Sequence, residues 1–143
     1  MQPGRINLIV GAVGIVLASV GGLALGATYN ALYEEGFYMI DLTRSLLKAG
    51  HTHGQPLAMY NLIFALLIGR VALSERSRKI ASWLAAMSMI MPIGLLLRGL
   101  TDGAMTFAPV ALLGGLCFAV SAGFLLAGSR EWGAGTDQPR ARV

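Results

Sequence analysis

Both histidines of the chain fall within the stretch Gly50-His51-Thr52-His53-Gly54-Gln55-Pro56. An imidazole can bind a metal, relay a proton or act as a plain hydrogen-bonding group. Two positions apart on a regular helix, residues point about 200° from one another. His51 and His53 therefore cannot hold one bare metal ion together unless a turn at Gly50 or Gly54 interrupts the helix. The surrounding apolar runs supply no carboxylate or further histidine to complete a zinc or copper set. Haem is different, because the porphyrin brings four nitrogens and the protein need contribute only one axial histidine. A single histidine is thus sufficient for haem and insufficient for most bare-metal sites, with His53 as the candidate iron ligand and His51 as the alternative. The competing readings are an interfacial histidine with no ligand, and a proton-relay or transported-ion group.

The residues after the motif fit a pocket beside His53. On a regular helix Leu57, Tyr60 and Phe64 lie within about 40° of its direction, an apolar and aromatic wall with one phenol. Asn61 lies about 80° round. As a buried amide in an apolar run it marks either a helix–helix hydrogen bond or a ligand contact. Arg98 can pair with haem propionates or, as the favoured reading, simply with Asp102 four residues on as a surface pair. Met87 and Met91 share a helix face, as a second axial ligand or as packing filler.

The elements that must position these groups are membrane helices. The chain has 143 residues, 55% hydrophobic and only 13% charged, and its mean hydropathy is positive. That is the composition of a chain whose solvent is largely lipid. Four spans are expected, at about 6–27, 51–73, 80–97 and 105–128, as one domain, with 129–143 a disordered tail. The first uncharged run is too long for the apolar core of a signal peptide and reads as a retained span. The start of the second span is open between Ala49 and Pro56, since proline is favoured in a first helical turn. Pro92 should kink or loosen the third. Between the first two spans runs a long connection. Tyr29, Tyr33, Phe37 and Tyr38 suit an interfacial belt there, and Asp41 can cap a short helix through Leu47 that stops at Gly50.

Four spans place both termini on one side. Arg5, Arg70, Arg76, Arg78, Lys79, Arg130, Arg140 and Arg142 lie on that side, against Arg44, Lys48 and Arg98 opposite. The positive-inside rule then predicts cytoplasmic termini and puts the histidines, Arg98 and Asp102 on the outer face, in a multi-pass protein of a bacterial-type inner membrane. Juxtamembrane cations account for the net charge of +4, so a nucleic-acid partner is not expected. The lone Cys117 has no partner for a disulfide. Small residues recur every four positions at Gly14, Ala18, Gly22 and Gly26, and again at Ala111, Gly115, Ala119, Gly123 and Ala127. Such stripes allow close helix approach, either within the bundle or in a homo-oligomer seam.

Over about residues 49–90 the chain resembles the small four-helix membrane haem proteins of the styrene oxide isomerase family. The matching residues are His53 at the start of the second span, Pro56 three positions later, and the basic loop Arg76 to Lys79. A more distant likeness is to the histidine-bearing second helix of haem-copper oxidase core subunits. The resemblance implies a b-type haem, a trimer, and an open iron position acting as a Lewis acid on an epoxide oxygen. The chain departs from the pattern at Met59, where the family has asparagine, and Asn61 comes two positions late. Its third span also lacks the family's acidic residue and tyrosine. The likeness therefore carries the ligand role to His53 and not the epoxide-isomerising role.

The expected function is that of an integral membrane haem protein serving redox, sensing or isomerase-like chemistry. The alternative is a non-catalytic accessory or structural subunit of a larger membrane complex. A small transporter is disfavoured, since no span centre carries a charge.

Overall fold

The computed structural model describes residues 2–27 and 42–130, and among these every regular element is helical. Helix α1 is Arg5–Ala27, α2 is Leu42–Leu67, α3 is Glu75–Met87, α4 is Ile90–Leu100, and α5, Ala108–Ser129, follows a single 3₁₀ turn at Met105–Phe107. The aromatic connection around Tyr29 to Asp41 and the tail beyond Arg130 lie outside the described residues.

Three segments are long and apolar enough to cross a membrane: α1, the α3–α4 pair taken as Glu75–Leu100, and Met105–Ser129. Their sides carry large exposed apolar residues such as Val16, Leu17, Leu23, Leu112 and Leu126. In water that surface would be a liability, whereas against acyl chains it costs nothing. Helix α2 differs because His51, Thr52, His53, Gln55 and Asn61 interrupt its apolar run. It is lodged between neighbours instead, packing on α1 along one side and on α4 along another. Helix α5 packs on α3 and α4.

The third span breaks at Ser88–Met89 for the expected reason. Pro92 has no N–H to offer the Ser88 carbonyl. That carbonyl accepts instead from the Met91 N–H at 3.0 Å, while the Ser88 hydroxyl donates to Ala85 O at 2.6 Å. Helix α4 therefore starts in a register shifted from that of α3. Pro56, by contrast, lies inside α2. Neither Ala49 nor Pro56 begins the helix, which already runs from Leu42 and continues past both histidines. Gly50 is not a stop either: a Cβ there would meet Leu96 Cγ at 2.6 Å, so the glycine serves the close approach of α4. The helix ends at Leu67 rather than Leu73, and Ile68 and Val71 turn inward as a buried plug.

That plug belongs to a packed core of Phe64, Ile68, Val71, Ala81 and Ala85, backed by Phe124 and Leu125. Beside it an amide knot ties three helices together. The Asn7 amide donates to Asn61 Oδ1 at 3.0 Å and to Ser82 O at 2.8 Å, and Asn61 in turn donates to Leu57 O and Ala85 O, both at 3.0 Å. In lipid each of these groups would otherwise be stranded without a partner. The tight end of the bundle is thus the one that holds the N-terminus. The histidines lie toward the other end.

Candidate functional site: an imidazole in an intramembrane cleft

At the histidine end α1 and α4 stand apart across α2 and leave a cleft of about 390 Å³. Gly50 and Gly54 form its floor, with Gly14, Ala18 and Gly21 on one wall and Met89, Pro92, Ile93 and Leu96 on the other. Its side-chain surface is apolar apart from His51. Small residues at four-residue spacing explain how the ring fits. The His51 ring lies against α1 with Nδ1 at 2.9 Å from Ala18 O. One turn on, Gly22 leaves room for the ring edge, because a Cβ there would be 2.5 Å from Cε1 and 3.0 Å from Nε2.

A carbonyl can only accept, so His51 carries a proton on Nδ1, and in the neutral ring Nε2 then keeps its lone pair. This is the arrangement of a ligating or proton-accepting histidine, whose other nitrogen is held by a backbone or carboxylate partner. His53 is held in a similar way, with Nδ1 at 2.8 Å from Ala49 O on its own helix. Its ring, however, is exposed, and His53 does not line the cleft. The two imidazoles face different sides of α2, as their spacing requires. No group of three or more metal-ligating side chains occurs among the described residues.

The aromatic wall exists but faces elsewhere. The Tyr60 hydroxyl pairs with Ser121 Oγ at 2.8 Å on α5, and its ring meets Phe118 edge-on at 4.8 Å and Phe64 at 5.7 Å. Phe64 is fully buried in the packed core, and Asn61 is consumed by the amide knot. None of the three lines the cleft. At the level of His53, α5 instead packs on α4, with Ala111 against Gly94 and Gly114 against Met91. The face shared by His53, Tyr60 and Phe64 is therefore covered at its lower end and open at its upper end.

Arg98 also departs from expectation. Its guanidinium donates to Gly103 O at 3.4 Å and contacts Met105 Sδ at 3.3 Å, stitching the turn after α4. Asp102, at a left-handed φ of 50°, takes the Thr43 hydroxyl at 3.3 Å, and no Arg98–Asp102 ion pair forms. Met91 packs on α5, while Met89 brings a thioether to the cleft and touches the Gly14 position with its methyl. Reading α3 and α4 as one straight helix hides Met89. The proline-induced break just before it is the signal that would have found it.

Compared with protein-family models, curated proteins and solved structures, the chain matches none.

Proposed function

We propose that the protein is an integral membrane haem protein, in which His51, at the α1–α2–α4 cleft, would hold haem b. The observation that carries this is His51 itself: an imidazole at the edge of the cleft, with Nδ1 engaged by Ala18 O and Nε2 beside Gly22 without a hydrogen-bond partner among the described residues. The donor set fits the group, since a porphyrin needs one such nitrogen, apolar walls and backbone approached closely through glycine. In this reading His51 would hold the iron, while Ala18 O fixes the ring's tautomer and raises its basicity. The apolar walls keep water out. Met89, on the facing wall, is the thioether that would lie beside the group. Bound haem would supply electron-transfer or Lewis-acid chemistry. Neither His53 nor Arg98 lines the cleft, and neither is given a part.

The orientation that goes with this reading has cytoplasmic termini and the cleft in the outer half of the bilayer, from the distribution of Lys and Arg. The test is the absorption spectrum of detergent-purified protein made with a haem supply. A Soret band that shifts on reduction is the expected result, and its absence from well-folded protein refutes the reading.

A second reading, an accessory subunit of a homo-oligomer or larger complex, is favoured by α5. Its inward face is Gly114, Cys117, Ser121 and Gly128, which leaves Ala119, Gly123 and Ala127 exposed as a second small-residue stripe.

A further inference from the structure

At the packed end of the bundle the start of α1, the end of α2, the start of α3 and the end of α5 come together. Gly4 abuts Ala65 and Ile68 and donates its N–H to Ser82 Oγ at 3.2 Å. Ala72 N–H reaches Gly128 O at 3.1 Å. On this closed plate sit Arg5, Arg70, Arg76, Arg78, Lys79 and Arg130, with Glu75 the one carboxylate among the described residues there. Glu75 is taken by Lys79 at 2.7 Å, and Arg78 turns inward to Val71 O at 3.1 Å. Arg5, Arg70, Arg76 and Arg130 remain exposed, each from a different part of the chain, and no described carboxylate lies within ion-pair distance of them.

Each of the four has a large exposed apolar residue three or four positions deeper along the chain. Arg5 stands over Leu8 and Ile9 (54% and 50% exposed), Arg70 over Leu66 (66%), Arg76 over Ile80 (44%) and Arg130 over Leu126 (70%). A partner meeting both halves of this pattern carries a negative phosphate on an apolar body. Nucleic acid would satisfy the arginines and leave the leucines stranded. A phospholipid satisfies both.

We propose that this end of the molecule is a binding face for anionic phospholipids, with the four arginines on the phosphates and the apolar residues below them on the acyl chains. The face is independent of the cleft and of any haem. The test incubates detergent-purified protein with an equal mixture of phosphatidylglycerol and phosphatidylcholine, then measures the lipids retained after gel filtration. Several-fold enrichment of phosphatidylglycerol is expected. It should fall close to parity in a variant carrying Arg5→Gln, Arg70→Gln, Arg76→Gln and Arg130→Gln whose helical circular dichroism matches the parent. High salt applied to the unaltered protein should lower it too, a readout that needs no variant. Equal retention of the two lipids, or an enrichment that ignores both salt and the substitutions, overturns the proposal.

Discussion

His51 lies where it does because two residues of α1 accept it: Ala18 supplies a carbonyl, and Gly22 supplies space. The space is the more fragile of the two. Gly22→Ala puts a methyl into the ring edge, so the ring must move or α1 must back away. The expected cost is about 1–3 kcal/mol, together with loss of cleft ligand, read by thermal unfolding in detergent and by titration of the ligand. Gly26, one turn on, has nothing within 4 Å of a would-be Cβ. Gly26→Ala is expected to be neutral or to stabilise by about 0.5–1 kcal/mol through helix propensity. Both glycines belong to one stripe in the sequence, yet only the first three members of that stripe face α2. Spacing reveals that a stripe exists but not how far along it the neighbour extends. His53 illustrates the same limit. Its angular relation to Tyr60 and Phe64 was legible from helical periodicity, but whether a helix covers it depends on where α5 leans.

Between elements, the contacts that matter are polar knots and glycine crossings rather than apolar area, since lipid is as apolar as leucine. Asn61→Leu removes the group that accepts from Asn7 and donates to Ala85 O. The partners stay buried, so a loss of about 1–3 kcal/mol is expected from unfolding in detergent. The histidine cleft, which neither Asn7, Asn61 nor Ser82 lines, should keep its ligand affinity per folded molecule. The sequence marks Asn61 as a group in need of a partner, either a cofactor or another helix. Only the arrival of Asn7, from 54 positions away, decides between them. On α5 the crossing residue is Gly114, which presses on the Met91 backbone, whereas Gly123 meets nothing within 4 Å. Gly114→Leu is expected to abolish folding of the monomer, seen as loss of a sharp gel-filtration peak. Gly123→Leu should spare the monomer and weaken only self-association, if the outer stripe is a seam.

Across the whole molecule the two ends have been given different work. The end carrying Phe64, Ile68 and Val71 is filled, knotted and ringed with arginine, while the other is held open over α2 by glycines. That division accounts for two of the polar residues of α2, His51 against α1 and Asn61 in the amide knot, while Thr52, His53 and Gln55 stay exposed. Composition and run length made three of the helices plain, and Pro92 announced the break in the third span. The start of α2 was misread because Gly50 and Pro56 look like punctuation in a sequence, although here one admits α4 and the other lies within a continuous helix. The central claim concerns which imidazole the open end presents. It is tested most directly by comparing the Soret absorbance per folded protein of the parent, His51→Ala and His53→Ala, each purified with haem supplied. The account predicts that His51→Ala loses the band and His53→Ala keeps it. A band that survives His51→Ala and vanishes with His53→Ala would place the cofactor on the outer face of α2 and contradict the cleft.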